Sequence, residues 1–292
     1  MGVKRRFWTD LWYLLVYTFL GALLTVGGMF LAMSAPIGLE WQLHLTQWAQ
    51  NALMFVLPTI LWVKLYKKEP VCESLRLGGC SWLMMAQVTL LMLVSVPLMD
   101  WFTSVTQQLP LPDGLRQYAE ETAVEQAAMI RQLLNVHGLL GWIELVMLMC
   151  VATGVSEELI FRGALRRVFE GDRQVKGRRV WIAVIVGLFF SLVHLDVYGF
   201  VVRWMLGAGL MLLVYWSGSI WPSVLAHAMN NFFALVCMKW ALDHYKDINE
   251  APTIYSMTGA WSVWVSALAS AAVIWWMWRD YSAKTSKVAM MP

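Results

Sequence analysis

Charged residues are scarce in this sequence. Only 14% of its 292 residues are Asp, Glu, Lys or Arg, against about 25% in a typical soluble domain, and 59% are hydrophobic. Apolar runs of roughly 20 residues, the length of a helix that crosses a bilayer, recur along the chain. The scarcity of charge therefore excludes an ordinary soluble protein and indicates an all-α, polytopic membrane protein.

Cysteine is also scarce, and the four cysteines are not spaced as a metal site. Cys72 and Cys80 fall in a predicted cytoplasmic loop, where thiols stay reduced. Cys150 and Cys237 fall in apolar spans, where cysteine serves as a small apolar residue. The sequence also lacks internal repeats and low-complexity tracts. A single membrane domain is therefore expected to cover residues 1–292.

Eight apolar segments have the length and hydropathy of membrane-spanning helices. The 18 tryptophans suit the interfacial belts that flank such spans, and many also supply bulk to the interior. The predicted spans are residues 12–33, 46–66, 81–102, 139–161, 180–197, 199–217, 220–241 and 260–278.

Lys and Arg residues concentrate on alternate connections between these spans. They cluster in residues 4–6, 64–76, 166–179 and 279–287, whereas the other connections are poor in basic residues or net acidic. The positive-inside rule then predicts that both termini are cytoplasmic. Because the basic residues are distributed over four segments and form no single patch, the net charge of +3 does not indicate nucleic-acid binding.

The longest polar segment is the predicted extracytoplasmic connection, residues 103–138. Its "PLPDG" is typical of a turn, and "LRQYAEETAVEQAAMIRQLLNV" has the composition of an amphipathic helix at the membrane surface. We interpret this segment as a connector between spans.

Ionisable and amide side chains within the spans are candidates for function. Such groups cost several kcal/mol in lipid unless they are paired or hydrated. Asn230 points away from the face of His227 and Asn231 and is interpreted as a residue that packs or forms a hydrogen bond between helices. The candidates are Glu144, Glu157, Glu158, Arg162, His194, His227 and Asn231.

Two of these candidates form a predicted ion pair. Glu158 and Arg162 are four residues apart and therefore lie on one helical face. The pair alone is equally consistent with a cap at the cytoplasmic end of the fourth span. Glu157 is rotated by about 100° from Glu158 and needs a partner from another helix.

The remaining candidates lie in the fifth and seventh spans. A single intramembrane histidine is more often a helix–helix hydrogen bond, but His227 and Asn231 repeat the four-residue spacing on one face. The predicted helix limits place Glu157 and His194 at similar depths, about 20 Å and 22 Å from the cytoplasmic side. His227 reaches only about 12 Å, unless "SGSIWP" dips into the protein.

Together these groups indicate hydrolysis of an acyl bond by activated water. A buried carboxylate beside an imidazole can bind and deprotonate water, and further donors can stabilise an oxyanion. No Ser or Cys nucleophile is required. The residues expected to contribute are Glu157, His194, His227 and Asn231, in a catalytic core over residues 139–241.

Three motifs resemble those of the CPBP family, the CAAX-processing type II proteases and their bacteriocin-processing relatives. The motifs are "EELIFR", "FSLVH" and "HAMNN", in this order within residues 153–233. The resemblance implies an all-helical intramembrane endopeptidase. It implies that Glu157 is the general base, that His194 positions the water, and that His227 and Asn231 stabilise the oxyanion. It also implies that Glu158 and Arg162 support the site and that Phe190 packs against it.

Metal dependence is left open by this resemblance. Zinc hydrolases commonly use three protein ligands, and Glu157, His194 and His227 could supply them. The sequence has no H-E-x-x-H motif, so a metal-free mechanism without a cofactor is favoured.

The expected substrate is a membrane-associated peptide or protein, and the expected location is a bacterial inner membrane. Eukaryotic relatives cut prenylated C-terminal tails, which are not expected there. The alternatives are a non-catalytic peptide-binding or bacteriocin-immunity protein and a proton-coupled transporter. The missing internal repeat argues against the transporter.

Overall fold

Helices make up all the regular secondary structure of the described residues. The computed structural model describes residues 2–171, 176–245 and 252–289. An all-α fold is thereby confirmed. The helices are α1 (Gly2–Met33), α2 (residues 39–67), α3 (Val71–Ser74), α4 (Trp82–Gln107), α5 (Asp113–Leu133), α6 (Gly138–Glu170), α7 (Arg179–Leu192), α8 (Phe200–Ser217), α9 (Trp221–His244), α10 (Ile254–Thr258) and α11 (Ala260–Ala289).

Five helices among the described residues are long and apolar enough to cross a membrane. They match five of the predicted spans, so the prediction of an integral membrane protein is confirmed. Their limits are Arg6–Met33, Trp82–Gln107, Gly138–Glu170, Phe200–Ser217 and Ala260–Ala283.

The other three predicted spans differ from simple crossings. α7 has only 14 residues, so it is about 21 Å long and shorter than the roughly 30 Å hydrocarbon core. α9 has 24 residues, but polar side chains such as His227, Asn230 and Asn231 lower its hydropathy. α2 contains two π-helical segments. The count of eight spans and the cytoplasmic termini therefore stay predictions.

α6 also changes its helical pitch, around the two adjacent glutamates. It is π-helical over Met147–Ala152 and again over Leu159–Leu165. Between these segments, Thr153–Glu158 forms a short α-helical stretch. A π segment shifts the direction of the side chains that follow and often lies at a functional site.

The start of α9 lies beneath the connection between α3 and α4. The backbone N–H of Ile220 donates to the carbonyl of Arg76 at 3.0 Å, and the Ser219 hydroxyl donates to the carbonyl of Gly78 at 2.6 Å. Ser219 and Ile220 are both buried. α9 therefore begins inside the protein, and His227 lies deeper than its distance from the helix start indicates.

The last turns of α6 are anchored to α3 and to the short connection between α2 and α3. Arg166 donates to the carbonyl of Ser74 at 2.8 Å and to Glu170, and Arg167 donates to Glu69 at 2.7 Å and 3.2 Å. Burial acts to raise the pKa of Glu69, but hydrogen bonds from Arg167 and Ser74 outweigh it and lower that pKa. These contacts fix the end of the helix that carries both glutamates.

α7 and α8 form a tight hairpin around two glycines. A Cβ at Gly187 would lie 2.5 Å from the backbone nitrogen of Ala208, and a Cβ at Gly207 would lie 2.9 Å from the Cα of Gly187. Small residues allow such close backbone contact between helices in membranes. The hairpin turn, residues 193–199, carries His194.

Gly187→Ala is expected to destabilise the protein by about 1–3 kcal/mol, because the added methyl group meets backbone that cannot rotate away. The melting temperature in detergent should fall. Gly209→Ala, on α8, is the matched control, because a Cβ there has nothing within 4 Å. Equal melting temperatures for the two variants would contradict the close packing of α7 and α8.

Candidate active site

Three of the predicted residues meet at one point. Glu157 comes from α6, His194 from the α7–α8 turn and His227 from α9. The Oε2 atom of Glu157 lies 3.8 Å from Nε2 of His194 and 3.8 Å from Nε2 of His227. This oxygen is buried and has no hydrogen-bond partner among the described residues. Two imidazoles therefore face one free carboxylate oxygen.

The hydrogen-bond partners of the two Nδ1 atoms indicate which nitrogen of each imidazole carries the proton. Nδ1 of His194 lies 2.6 Å from the carbonyl oxygen of Phe190, and Nδ1 of His227 lies 2.9 Å from Oε1 of Glu158. Both partners are acceptors, so each Nδ1 carries a proton, and in a neutral ring each Nε2 is an acceptor. Glu157 Oε2 and the two Nε2 atoms are then three acceptors that need a donor between them.

Both carboxylate oxygens of the second glutamate, Glu158, accept hydrogen bonds. Oε1 of Glu158 accepts from Arg162 at 2.9 Å and from His227 at 2.9 Å, and Oε2 accepts from the hydroxyl of Ser223. The structure thus contains the Glu158–Arg162 pair, and both side chains are 0% exposed. Because Glu158 also binds His227 on α9, the pair does more than cap α6.

Arg162 and Phe190 pack beneath the two imidazoles, in contact with each other. Arg162 donates to the carbonyl of Gly207 on α8 at 2.9 Å, and its guanidinium carbon lies 4.4 Å from the centre of the Phe190 ring. The Phe190 ring packs against His194 and His227, with centroid distances of 4.8 Å and 5.6 Å. Phe190 is therefore the packing residue that orients both imidazoles.

Asn231 lies one turn beyond His227 on α9. Its amide donates to the carbonyl of Met149 at 3.1 Å, which joins α9 to the first π segment of α6. The amide has a second N–H that this bond leaves for another acceptor. Asn230 lines a separate cavity of about 440 Å³ with Asp196.

Glu144, the remaining glutamate among the candidates, lies away from this site. Its carboxylate accepts from the indole of Trp48 at 3.0 Å and lies 2.5 Å from Nδ1 of the buried His44. These contacts join α2 to α6. Glu144 is therefore paired without any contribution to the cluster around Glu157.

The sequence analysis did not identify Ser223. This serine is buried and supplies the third donor to Glu158. It lies four residues before His227, as Asn231 lies four residues after it, so all three share one face of α9. That spacing was the signal that could have identified it.

Asn51 on α2 was also not identified. It is buried, its Oδ1 accepts from the hydroxyl of Ser156 at 2.9 Å, and its Nδ2 donates to Thr153 Oγ1 at 3.3 Å. Both partners lie in the turn of α6 that directly precedes Glu157. No sequence signal gives this contact, because Asn51 lies in the π segment Gln50–Val56, which alters the face it occupies.

A groove opens from the site between α1, α2, α6 and α7. It has a volume of about 400 Å³ and is lined mainly by apolar side chains, together with Glu157 and His194. We call it the lateral groove. It gives an apolar ligand a route to the side chains of Glu157 and His194.

The predicted metal ligands are not spaced for zinc. Ligand atoms at 2.0–2.1 Å from a tetrahedral zinc ion lie about 3.4 Å apart, roughly 0.4 Å less than the separations at Glu157. Within the described ranges, no group of three or more His, Cys, Asp or Glu side chains is arranged to hold a metal ion. In this arrangement the Glu157 oxygen is farther from both imidazole nitrogens than zinc ligands are from one another, and no catalytic step is derived through a metal.

Residues 139–233 match the sequence model of a family described as Type II CAAX prenyl endopeptidase Rce1-like. The match covers all three motifs and roughly a third of the chain. It confirms the resemblance to the CPBP membrane proteases, a family of membrane endopeptidases. No curated protein and no solved structure matches the chain.

Proposed function

We propose that the protein is an intramembrane endopeptidase that cleaves a peptide bond with a water molecule activated by Glu157. One observation carries this proposal. The unpartnered Oε2 of Glu157 lies 3.8 Å from each of two imidazole Nε2 atoms, a distance too long for a direct hydrogen bond. A water molecule between them would supply the missing donor.

Glu157 acts as the general base and then as the general acid. It takes a proton from the water as the water oxygen attacks the scissile carbonyl carbon, and it later gives that proton to the leaving amine nitrogen. His194 accepts the second O–H of the water through Nε2 and so orients it. The peptide bond breaks into a carboxylate and an amine, and no covalent enzyme intermediate forms.

His227 and Asn231 stabilise the oxyanion. Asn231 uses the N–H that its bond to Met149 leaves over. To donate from Nε2, His227 has to carry a second proton, and the carboxylate of Glu158, 2.9 Å from its Nδ1, balances that charge. Glu158 and Arg162 therefore act through His227, as positioning residues.

The substrate is a membrane-associated peptide or protein that reaches the site through the lateral groove. The apolar lining of the groove favours such a ligand over a soluble peptide. The distribution of basic residues supports eight spans with both termini in the cytoplasm. A bacterial inner membrane is the location that we propose.

Asn231→Ala is expected to lower kcat by roughly 10²–10³-fold, the usual effect of losing one oxyanion donor. Asn135→Ala is the control, since it removes an exposed amide that lies outside the site. Both variants should be measured on the same cleaved peptide. A rise in KM with unchanged kcat for Asn231→Ala would assign that residue to substrate binding instead.

The proposed activity is tested with a library of membrane-spanning peptides. The purified protein in lipid is incubated with the library, and products are identified by mass spectrometry. We expect cleavage by the wild type and by His137→Ala, which changes an exposed histidine, and none by His194→Ala. Peptides that bind but are cut by none of the three proteins would favour the non-catalytic binding protein.

A further inference from the structure

The lateral groove contains a polar side chain that the proposed mechanism does not use. Gln50, the first residue of the π segment Gln50–Val56 of α2, lines the groove together with Glu157 and His194. Its amide has no hydrogen-bond partner among the described residues. The hydroxyl of Thr18, also in the groove, already donates to the carbonyl of Leu14 at 2.9 Å.

A peptide in this groove needs hydrogen-bond partners. Hydrolysis requires the scissile bond to leave a helix, and an extended backbone in an apolar environment has N–H and C=O groups without water to bind them. Each unsatisfied group costs several kcal/mol. The apolar side chains of the groove cannot replace the lost bonds.

A glutamine amide matches a peptide group. Its carbonyl accepts from a backbone N–H, and its NH₂ donates to a backbone C=O. This match does not depend on the side chains of the substrate. Gln50 can therefore bind one peptide unit of an extended chain in the groove.

The position of Gln50 relative to Glu157 is fixed by its neighbour. Asn51 binds Ser156 and Thr153 in the turn that precedes Glu157. Gln50 is adjacent to Asn51 on α2, and Glu157 is adjacent to Ser156 on α6. The hydrogen bonds of Asn51 therefore also set the height of Gln50 relative to the carboxylate of Glu157. A substrate held by Gln50 would be held in register with Glu157.

We propose that Gln50 is a substrate-binding residue that hydrogen-bonds the main chain of an extended peptide in the lateral groove. The ligand class is the peptide backbone itself, with apolar side chains around it. This inference rests on the proposed endopeptidase function.

The first test is kinetic and compares two glutamines of α2. Gln50→Leu keeps the approximate volume and removes the amide, and we expect kcat/KM to fall roughly 5–10-fold, mainly through KM. Gln47→Leu, one turn earlier and outside the groove lining, should leave kcat/KM unchanged. Equal kcat/KM for wild type and Gln50→Leu would overturn the proposal.

The second test probes the bond itself. In a cleaved peptide, each backbone N–H in turn is replaced by an ester oxygen. For wild type, kcat/KM should fall when the ester is placed at one particular position of the peptide. For Gln50→Leu, the same replacement should leave kcat/KM unchanged. An equal loss at every position in both proteins would show that Gln50 binds no backbone N–H.

A binding measurement separates this proposal from the proposed function. The probe is a fluorescent membrane-spanning peptide, the best-cleaved library member or, if none is cleaved, the tightest-bound one. In a Glu157→Gln background, Gln50→Leu should weaken its binding 5–10-fold and Gln47→Leu should not. If Gln50→Leu weakens binding but wild type cleaves no peptide, the endopeptidase function is rejected and the binding role of Gln50 is retained. If Gln50→Leu leaves binding unchanged, the binding role of Gln50 is rejected.

Discussion

Glu157→Gln is expected to lower the rate of peptide cleavage by roughly 10²–10⁴-fold, the contribution of a general base. The amide has nearly the same size as the carboxylate, but it cannot take a proton from water. Because Oε2 of Glu157 has no hydrogen-bond partner among the described residues, the replacement breaks no bond there. The melting temperature should therefore stay close to that of wild type.

Glu144→Gln is the matched control, since it changes another glutamate of the same helix. Glu144 lies against Trp48 and His44 and takes no part in the cluster around Glu157. Both variants should be purified in lipid and assayed on the same peptide. Substantial cleavage by Glu157→Gln would remove Glu157 from the mechanism.

Arg162→Ala is expected to destabilise the protein by about 3–5 kcal/mol, because it leaves the buried carboxylate of Glu158 without its cation. Both side chains are fully buried, so solvent cannot replace the lost contact. The Gly207 carbonyl also loses its donor. Folded yield and melting temperature in detergent measure this effect.

A double variant separates stability from activity. Glu158→Gln/Arg162→Met removes both charges, so most of the stability lost in Arg162→Ala should return. Cleavage should remain low, because His227 no longer has a carboxylate at Nδ1. Full activity in the double variant would show that the pair is only a structural element of α6.

The apolar runs predicted most of the membrane helices because length and hydropathy are properties of each segment alone. α4 and α8 begin within a residue of the predicted limits. α7 could not be predicted to end at Leu192, because the apolar pattern continues past it. Side-chain hydrogen bonds close the turn that follows: the Ser191 hydroxyl donates to the carbonyl of Phe200, and the carboxylate of Asp196 accepts from the backbone N–H of Gly199.

The site was predictable in part because the spacing of residues along one helix is also a property of a single segment. The spacing of Glu158 and Arg162, and of His227 and Asn231, gives a shared helical face directly. The depth of His227 could not be derived, because residues 76–78 cover the start of α9 and place it inside the protein.

The contribution of α2 lay beyond sequence reasoning. An α-helical wheel assigns Gln50 and Asn51 to particular faces, but the π segment that begins at Gln50 changes them. Only the folded chain brings Asn51 against Ser156 and places Gln50 in the groove. Tertiary contacts therefore determine which polar residues of α2 join the site.

Metal content measured together with cleavage tests the central claim most directly. The purified wild type is analysed for bound zinc by mass spectrometry, and its cleavage of one peptide is measured before and after treatment with a chelator. We predict cleavage without stoichiometric metal, unaffected by the chelator and lost in Glu157→Gln. Stoichiometric zinc, with activity that disappears on chelation and returns when zinc is added, would contradict a water activated by Glu157 alone.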